Sequence, residues 1–510
     1  MTQTILITGA TDGIGLALAR QYAAGGVRLV LVGKRPLSEL DPAFFTDQTY
    51  CQADLSRPDC AQIVTRWLQK QGISQLDVVI QNAGVGYYGP IYQQTPENLD
   101  RLLAVNLYAP IRLTHALLSF VPAGGQLVFV SSVAAVLPVP AYVAYAAAKA
   151  ALEGFARNIR VELNGRIHVQ VIRPGAVRTG MHQKMGVSQT EMDWSRFPLA
   201  AETAEKIRQA IARRRKTAVI GLGNGVITTL GYHLPGLFTR LQQRHRPEWP
   251  QDTPAAKRPF AVVTGGADGI GRALALRFAR GGFAVGLVDV DQMRGQQVVA
   301  EIAALGQQAV FVEADLCAPE GWKTAVTAFL PHTPTVWVHN AGISHTGYFE
   351  KEPIDAQLKV LDLNLRAPLQ MTAALVRQRV LADGAAMIFV SSLSRFMGYP
   401  GAAVYGASKD GVASYAQSLQ AAASPHLRVM TLFPGPTRTA HARRYSPDNS
   451  REDARMPPAV LADKVFTAWR NGRIVLIPGF TNKVMAQFGH FFPAAASQLM
   501  RRLLLEKMAR

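Results

Sequence analysis

The stretch TILITGATDGIG at residues 4–15 recurs in altered form as AVVTGGADGIG at residues 261–271. In each copy a run of aliphatic and β-branched residues leads directly into a glycine-rich turn, and a stretch rich in alanine and leucine follows. This order predicts a strand, a turn and a helix, in which glycines let the backbone approach a pyrophosphate at the positive helix N-terminus. The turn residues that we expect to bind a dinucleotide are Gly9, Gly13, Ile14, Gly15, Gly265, Gly269, Ile270 and Gly271.

Other short motifs repeat in the same order, at an offset that stays between 256 and 261 residues. They are ADL at 53 and 314, NAG at 82 and 340, NL-x-AP at 106 and 364, FVSS at 129 and 389, Tyr-x-x-x-Lys at 145 and 405, and PG at 174 and 434. Matches in a constant order at a nearly constant offset indicate a tandem duplication.

A chain of 510 residues is long enough for two domains of ordinary size. The segment RPEWPQDTPAAKRP at residues 246–259 contains four prolines and no hydrophobic period, as is typical of an extended linker. We therefore expect a first domain at 1–246, a linker at 247–259 and a second domain at 260–510.

Short apolar runs alternate with helical patterns in each half, which is typical of a parallel sheet covered on both faces. The predicted fold is α/β, with two tandem Rossmann-type, doubly wound parallel-sheet domains. The strands predicted in the first half are residues 5–8, 29–32, 78–81, 127–131 and 169–173.

The composition excludes several classes of function. Three cysteines form neither a disulfide framework nor a recognisable metal site, and the chain begins without a signal-peptide pattern, so we expect a cytoplasmic protein without a metal. The net charge of +19 is spread over both halves, and no nucleic-acid motif accompanies it. We interpret RRRK at 213–216 as the solvated end of a helix, where cations oppose the macrodipole.

Two apolar segments, at 221–240 and 488–510, are interrupted by Gly or Pro and end in arginines. No uninterrupted apolar run is long enough to predict a membrane-spanning helix. The segments are suited to lie on a membrane surface, to cover the substrate cleft or to form a subunit interface, and the sequence leaves these alternatives open.

The Gly-x-x-x-Gly-x-Gly spacing, the downstream NAG and a Tyr-x-x-x-Lys pair after a serine together resemble the short-chain dehydrogenase/reductase family. The resemblance extends over almost the whole of both halves. It implies two NAD(P)-dependent oxidoreductase domains that act on alcohol and carbonyl groups.

Tyr145 with Lys149, and Tyr405 with Lys409, are the candidate acid/base pairs, because a spacing of four residues puts both side chains on one helix face. Hydride transfer to or from a carbonyl carbon requires a proton to move at the oxygen, and a free tyrosine with a pKa of about 10 is too weak a base. A neighbouring ammonium group and a positive nicotinamide favour the phenolate, so we expect a lowered tyrosine pKa.

The resemblance adds a serine that holds the substrate oxygen and an asparagine that holds a water in the proton relay. Ser131 and Ser391 are competing candidates for the serine, but strand alternation points them the other way. The catalytic residues implied are Asn106, Ser132, Tyr145 and Lys149 in the first half, and Asn364, Ser392, Tyr405 and Lys409 in the second.

The two predicted second strands end differently. In GLVDVD, Asp289 stands where an acid hydrogen-bonds the adenosine ribose and repels a 2′-phosphate, which predicts NAD in the second half. In VLVGKR, a glycine stands there, and Lys34 and Arg35 follow, ready to pair with a 2′-phosphate, which predicts NADP in the first half. An ordinary charged loop is the alternative, because Asp12 stands where many NADP-using relatives carry a basic residue.

The resemblance also implies adenine contacts from Asp54, Leu55, Asp315 and Leu316, and contacts to the carboxamide or pyrophosphate from Thr179 and Thr439. Asn82 and Asn340 lie beside the cofactor, where we expect them to brace the strands. Residues 180–199 and 440–458 would form mobile substrate lids, and their different sequences predict different substrates or two orientations of one substrate.

We expect a bifunctional enzyme with an NADPH-dependent reductase in the first half and an NAD-dependent dehydrogenase in the second, acting in sequence on one hydrophobic alcohol or ketone. Two independent reactions joined in one chain are a more modest version. In the structural alternative, one half is catalytic and the other is a scaffold or redox sensor within an intramolecular pseudo-dimer. A homo-oligomer is a further arrangement.

Overall fold

A computed structural model describes residues 2–185, 193–233, 235–243, 248–250, 254–446 and 448–508 of the chain. These residues form two parallel sheets of seven strands each, one sheet in each half, flanked by helices. This architecture confirms the prediction of two tandem Rossmann-type α/β domains.

The strands of the first sheet are β1 Thr4–Thr8, β2 Arg28–Gly33, β3 Tyr50–Gln52, β4 Val78–Gln81, β5 Gln126–Val130, β6 His168–Arg173 and β7 Thr217–Val219. Those of the second are β8 Phe260–Thr264, β9 Ala284–Asp289, β10 Ala309–Glu313, β11 Val336–His339, β12 Ala386–Val390, β13 Arg428–Leu432 and β14 Val475–Leu476. The spatial orders are β3-β2-β1-β4-β5-β6-β7 and β10-β9-β8-β11-β12-β13-β14, so the two sheets have the same topology.

The helices of the first half are α1 Gly13–Ala23, α2 Cys60–Lys70, α3 Pro96–Leu103, α4 Ala109–Leu117, α5 Val143–Glu162, α6 Met181–Lys184, α7 Ala200–Ala212, α8 Leu222–His233 and α9 Pro235–Gln242. Those of the second are α10 Gly269–Arg280, α11 Gln292–Ala304, α12 Pro319–Ala328, α13 Ile354–Leu361, α14 Ala367–Arg377, α15 Ser394–Met397, α16 Ala403–Ala423, α17 Ala440–Tyr445, α18 Pro458–Arg470, α19 Phe480–Phe491, α20 Pro493–Met500 and α21 Glu506–Met508. Turns of π-helix occupy Ala104–Tyr108, Asp362–Arg366 and Arg501–Leu505.

The five strands predicted in the first half are present, with ends within one residue of their expected positions. The prediction missed the two edge strands β3 and β7, which have three residues each. Three residues are too few to establish a hydrophobic period, so these edges are specified by pairing with β2 and β6 rather than by local pattern.

The strand order reverses between β1 and β4 in the first sheet, and between β8 and β11 in the second. All four strands are buried along their whole length, as expected for sheets covered on both faces. A crevice opens beyond the carboxyl ends of such strands, where the order reverses, and it is the usual ligand site of this architecture.

The expected linker at 247–259 lies partly outside the described residues, namely at 247 and 251–253. The parts that are described contact the second half. Trp249 is buried, and its ring stacks on His426 with the centroids 6.3 Å apart. The backbone carbonyl of Pro254 accepts a hydrogen bond from the Asp383 amide at 2.9 Å. These contacts hold the connection against the second half.

The two halves contact each other through their longest helices, α5 and α16. Glycines allow the close approach: a Cβ on Gly154 would lie 2.5 Å from Asp410 Oδ2, and one on Gly411 would lie 3.1 Å from the Ala151 Cβ. The buried carboxylate of Asp410 accepts a hydrogen bond from Arg157 Nη2 of the other half at 2.8 Å. A buried charge of this kind is stable only when it is paired, so the interface depends on both partners.

A second group of polar contacts flanks this helix pair. Arg366 donates two hydrogen bonds to the Asp100 carboxylate, at 2.6 and 2.8 Å. The Tyr108 hydroxyl donates to Asp362 at 2.7 Å. The two halves therefore pack against each other within one chain.

Candidate active sites

Each tyrosine–lysine pair lies in the first turns of a long helix, α5 or α16, beside the carboxyl end of a central strand. Lys149 Nζ donates a hydrogen bond to the Val130 carbonyl at 3.1 Å, and Lys409 Nζ donates to Val390 at 3.0 Å. In both halves the Nζ atom lies 5.8 Å from the centroid of the tyrosine ring. The helical spacing therefore brings amine and phenol together, and the strand end fixes the amine.

The serines adjacent in sequence differ in orientation. Ser132 and Ser392 each form a hydrogen bond with the tyrosine of their half, Tyr145 or Tyr405. Ser391 instead donates to the Lys409 carbonyl at 2.8 Å, and Ser131 is buried. The geometry therefore brings Ser132 and Ser392 to the tyrosine hydroxyls, as strand alternation predicts.

Burial dominates the protonation of these groups. It raises the pKa of Tyr145 to about 12, against the opposing hydrogen bond with Ser132, and it raises the pKa of Tyr405 in the same way. It lowers the pKa of Lys149 and of Lys409 from 10.5 to about 8. The lowered tyrosine pKa that we expected is thus absent from the protein alone, and the phenols are protonated at neutral pH.

Asn106 and Asn364 lie in turns of π-helix rather than in regular α-helix. Asn106 Nδ2 donates to the carbonyl of Val85 at 2.7 Å, and Asn364 Nδ2 donates to Ile343 at 2.9 Å. A Cβ on Gly84 would lie 3.0 Å from Asn106 Oδ1 and 3.5 Å from Lys149 Nζ, so the asparagine, this glycine and the lysine meet. π-Helical turns of this kind frequently occur at functional sites, and the sequence predicted only a helix here.

The glycine-rich turns have the conformation that a pyrophosphate cradle needs. Gly9 and Gly13 have positive φ angles of +66° and +53°, and a Cβ on Gly15 would lie 2.2 Å from the Gly9 carbonyl oxygen. The Asp12 side chain caps α1 by accepting from the Gly13 amide at 2.7 Å. The turn around Gly265, Gly269 and Gly271 repeats these features. Both turns therefore fit a dinucleotide, because backbone and helix N-terminus remain unshielded by side chains.

Threonines lie against both turns. A Cβ on Gly13 would lie 3.2 Å from Thr179 Cγ2, and one on Gly269 would lie equally close to Thr439 Cγ2. Asn82 Nδ2 donates to the Thr8 carbonyl at 3.0 Å, and Asn340 Nδ2 donates to Thr264 at 2.9 Å. The asparagines brace neighbouring strands beneath the turns, as the sequence analysis predicted. Ile14 and Ile270 pack against the hydrophobic cores.

At the end of β9, the Asp289 carboxylate accepts hydrogen bonds from the amides of Ala267, Val290 and Asp291 at 3.0, 2.8 and 3.2 Å. These bonds hold the acid beside the second turn. It is the position from which an acid can accept hydrogen bonds from ribose hydroxyls.

At the equivalent end of β2 there is no room for an acid. A Cβ on Gly33 would lie 2.7 Å from Thr11 Cγ2 and 3.0 Å from the Tyr50 hydroxyl. The Arg35 guanidinium donates to the Thr11 carbonyl, and its own carbonyl accepts from the Tyr50 hydroxyl at 2.6 Å. Arg35 is thereby held over the first turn, which the sequence alone did not reveal.

The four residues expected at adenine divide into two types. Asp54 accepts hydrogen bonds from the Ser56 amide and hydroxyl, and Asp315 accepts from the Cys317 amide at 2.9 Å. Burial opposes ionisation of Asp54, but these bonds and then Lys34 lower its pKa. Leu55 and Leu316 are buried in the cores, so their side chains serve packing.

The walls of the two substrate clefts differ. In the first half Met185 packs with Tyr88, Tyr142 and Met181 in an apolar cluster. A salt bridge from Lys184 Nζ to Asp12 Oδ2, 2.6 Å long, ties α6 to the nucleotide turn. Of the lids expected at 180–199 and 440–458, residues 186–192 and 447 lie outside the described residues.

In the second half His441 takes the place of Met181 and lies near Lys409. Burial, and then the positive charge of Lys409, lower the pKa of His441 to about 4. Its ring and that of Tyr445 are 4.9 Å apart. The sequence analysis did not single out this histidine, although aligning the two lid segments places it opposite Met181. Among the described residues, no group of His, Cys, Asp and Glu is suited to hold a metal ion.

Comparison with known proteins gives matches in both halves. A family model described as short chain dehydrogenase matches residues 3–190 and 259–450. The chain is 33% identical over 267 residues to dehydrogenase/reductase SDR family member 7B of Bos taurus, an alignment that covers 46% of this chain and 79% of the relative. It is 32% identical over 192 residues to dehydrogenase/reductase SDR family member 4 of Homo sapiens, covering 35% and 68% respectively.

One solved structure shares the fold over most of the chain. The crystal structure of an N-terminal ketoreductase from a macrolactin assembly line has a TM-score of 0.61 and 13% identity, covering 93% of this chain and 86% of that chain. A short-chain dehydrogenase from Sphingobium yanoikuyae in complex with NADPH has a TM-score of 0.41 and 24% identity, covering 47% and 94%. The first of these matches extends over both halves of the chain.

The buried lysines lead to a prediction about stability and pH. Because the folded pKa of about 8 lies below the ordinary 10.5, the unfolded chain binds more protons between these pH values, and the wild-type protein gains stability as the pH rises through them. We expect a Lys149→Met/Lys409→Met protein to be more stable than wild type below pH 8, by about 1–3 kcal/mol after loss of the carbonyl hydrogen bonds. Denaturant unfolding of both proteins at several pH values measures this difference.

The advantage of the double variant should shrink towards pH 10.5. Lys323→Met is the matched control, since Lys323 is exposed and pairs with Glu320 on its own helix. Its stability difference from wild type should not follow the same pH interval. A double variant whose difference from wild type is independent of pH would contradict the burial of charged lysines.

Proposed function

The chain belongs to the short-chain dehydrogenase family, with one family domain in each half, and from this premise we propose that both halves are catalytic. The protein is an NAD(P)-dependent dehydrogenase/reductase. In our proposal it is bifunctional and interconverts secondary alcohols and ketones, with domains at 1–246 and 260–510 joined by a linker at 247–259. The observation that carries the proposal is that each half holds its own tyrosine, lysine, serine and asparagine in the same arrangement.

The proposed chemistry assigns one task to each side chain. Ser132 or Ser392 holds the substrate oxygen beside the tyrosine hydroxyl. In reduction the phenol of Tyr145 or Tyr405 donates its proton to that oxygen, and in oxidation the phenolate removes it. A bound nicotinamide supplies or accepts the hydride at the carbon. The positive charge of that ring favours the phenolate and so opposes the effect of burial on the tyrosine pKa.

The lysine and the asparagine serve the return of the proton to water. Lys149 is fixed to the end of β5 by the Val130 carbonyl and faces the tyrosine ring. Asn106, Gly84 and Lys149 meet at one point, where a water held by the asparagine would connect the amine to solvent. A lysine pKa of about 8 lets this amine take up and release a proton near neutral pH.

We propose that the first half uses NADP and the second half NAD. Asp289 is held by three backbone amides beside its turn, where it favours ribose hydroxyls and repels a 2′-phosphate. In the first half Gly33 leaves no room for an acid, and Lys34 and Arg35 supply positive charge. In cells, NADPH would then drive reduction at the first site and NAD would drive oxidation at the second.

A reducing site and an oxidising site in one chain support a sequential reaction. An alcohol oxidised at the second site would give a ketone that the first site reduces, which inverts a carbinol centre or moves an oxidation state. The apolar cluster of Tyr88, Tyr142, Met181 and Met185 supports a hydrophobic substrate at the first site. His441 and Tyr445 give the second cleft a more polar wall, so the same substrate would bind there in another orientation.

We further propose that the protein contacts an anionic membrane surface through α8 and α19. Each helix covers one active-site loop: a Cβ on Gly231 would lie 2.1 Å from Leu137 Cδ2, and one on Gly489 would lie 2.3 Å from the Phe396 carbonyl. The helices meet where His233 Nδ1 lies 3.1 Å from His490 Nε2 and where Phe491 stacks on His233. The two helices therefore form one surface beside both clefts.

This surface carries exposed apolar residues at helical spacing. Leu222 on α8 is 93% exposed and Phe480 on α19 is 82% exposed, and Val226 and Val484 follow one turn later. The segments 206–247 and 464–505 carry nine and six Lys or Arg residues and no Asp or Glu. An apolar face within positively charged segments is typical of peripheral binding to anionic lipid. No helix within the described ranges is long and apolar enough to cross a membrane.

Cofactor affinity tests the division of labour. We expect Lys34→Ala/Arg35→Ala to weaken NADPH binding by about tenfold to a hundredfold, because a 2′-phosphate loses its cations, and to leave NADH binding unchanged. Asp289→Ala should weaken NADH binding by about tenfold and leave NADPH binding at the first-half site unchanged. Isothermal titration calorimetry of the intact protein measures both affinities and the number of sites, and each variant is the control for the other.

Binding of one dinucleotide per chain, or loss of both affinities in one variant, would contradict the two-cofactor proposal. A single site that remains in the first half alone would instead favour the alternative in which the second half is a scaffold or redox sensor. The calorimetric site number separates these outcomes without a substrate.

Vesicle sedimentation tests the membrane proposal. Wild-type protein should pellet with vesicles containing phosphatidylserine and much less with vesicles of phosphatidylcholine alone, and salt should weaken the binding. Replacing Leu222, Val226, Phe480 and Val484 together by serine should abolish pelleting, because the exposed apolar contact is lost. The matched control replaces Val290 and Met293, which are exposed apolar residues outside α8 and α19, by serine. Equal pelleting of both variants would exclude this surface as the site of contact.

A further inference from the structure

The second active site is framed in part by the first half of the chain. The loop between Ser392 and Tyr405 includes α15 and two glycines of positive φ, Gly398 and Gly401. Side chains of α5, in the other half, contact the backbone of this loop. Arg157 Nη2 donates to the Ser394 carbonyl at 3.3 Å, the Tyr399 amide donates to Asn158 Oδ1 at 2.6 Å, and the Gly401 amide donates to Glu162 Oε1 at 2.8 Å.

Glu162 also contacts a second loop of that half. Its Oε2 atom accepts a hydrogen bond from the Phe349 amide at 2.9 Å. The two loops are joined directly by the Gly347 amide, which donates to the Gly401 carbonyl at 2.8 Å. One carboxylate therefore binds both loops at the point where they meet.

These loops lie at the reacting end of the second cleft. The rings of Tyr399 and Tyr405 are 5.8 Å apart, so the held loop reaches the catalytic tyrosine. Phe349 is buried against first-half rings, 5.0 Å from Phe155 and 5.5 Å from His115. Displacement of either loop would move the wall that faces a substrate at Tyr405.

Helix α16 of the second half makes fewer contacts of this kind with the equivalent loop of the first half. Aligning the repeats places Gln417, Ser418 and Ala422 where α5 has Arg157, Asn158 and Glu162. Ser418 Oγ accepts from the Val139 amide at 3.2 Å, which repeats the contact of Asn158. Ala422 has no side-chain acceptor, so α16 cannot repeat for the first half the carboxylate contact that Glu162 of α5 makes with the second half.

Burial makes the position of Glu162 unfavourable for a charged carboxylate, and the hydrogen bonds that it accepts from two backbone amides offset this cost. Burial raises the pKa of Glu162 to about 7, while the amides of Phe349 and Gly401 oppose that rise and the nearby Glu350 adds to it. A covered carboxyl group is costly unless its hydrogen bonds compensate for the lost water. Holding the two amides accounts for a carboxyl group at this position.

We propose that Glu162 is a positioning residue of the second active site, through which the first half fixes the two loops beside Tyr405. This inference rests on the proposed catalytic role of the second half. It assigns to the first half a task beyond its own reaction, because the second cleft is complete only when α5 lies against it.

Hydrogen–deuterium exchange of the full chain tests the contact itself. Glu162→Ala should raise exchange at the amides of Phe349 and Gly401 by about tenfold or more, because both acceptors are lost. Glu162→Gln, in which one acceptor oxygen remains, should give a smaller increase. This variant keeps the test usable if the alanine variant fails to fold. The matched control is Ser418→Ala, which should raise exchange at Val139 in the first half and leave Phe349 and Gly401 unchanged.

Kinetics test the positioning role in a Tyr145→Phe background, in which turnover comes from the second site. The probe is whichever alcohol this protein oxidises fastest with NAD among a panel of aromatic and aliphatic secondary alcohols. We expect Glu162→Ala to raise KM by about tenfold with kcat within about threefold, Glu162→Gln to recover part of the loss, and Ser418→Ala to leave both constants unchanged.

The two measurements separate the failure of this proposal from that of the proposed function. Unchanged exchange at Phe349 and Gly401 in Glu162→Ala would overturn the contact. Faster exchange with unchanged kinetics would overturn the positioning role. Absence of NAD-linked turnover in the parent Tyr145→Phe protein would overturn catalysis by the second half, and with it the positioning role, whereas the exchange result would still decide whether Glu162 holds the loops.

Discussion

The packing of α5 against α16 is the constraint on which the rest of the molecule depends. These two helices carry both tyrosine–lysine pairs, and they also form the centre of the contact between the halves. Their approach requires glycine at 154 and 411, where larger side chains would meet Asp410, Leu365 and Ala151. The same helices therefore set the distance between the halves and the position of each reacting phenol, so changes at the interface act on both sites.

The sequence predicted those features that depend on neighbouring residues and that recur in both halves. The glycine turns, the apolar central strands and the Tyr-x-x-x-Lys pairs each recur at a nearly constant offset, and the structure holds both copies in equivalent places. Strand alternation also predicted that Ser132, rather than Ser131, faces Tyr145. These predictions succeeded because helical and strand periods fix which neighbours share a face, whatever lies further away.

Features that depend on distant parts of the chain were not predicted. Glu162 contacts amides about 190 and 240 residues away, and nothing in its local sequence indicates a partner. The π-helical turn at Asn106 was also not predicted, because the sequence pattern indicated only a helix there. In the protein alone, burial raises the pKa of Tyr145 and outweighs the hydrogen bond that opposes this rise. Long-range packing, rather than local pattern, completes these parts of the sites.

In the proposed function, two complete sites with different cofactors work on one substrate. Its most direct test is to incubate the protein with NAD, NADPH and a small amount of a secondary alcohol, and to quantify all four nucleotides by chromatography. We expect NADH formation and NADPH loss to be equal and to rise together as the alcohol is consumed, Tyr145→Phe to abolish NADPH loss, and Tyr405→Phe to abolish both changes. NADPH loss that continues in either variant, or wild-type NADH formation without a matching loss of NADPH, would contradict sequential action on one substrate.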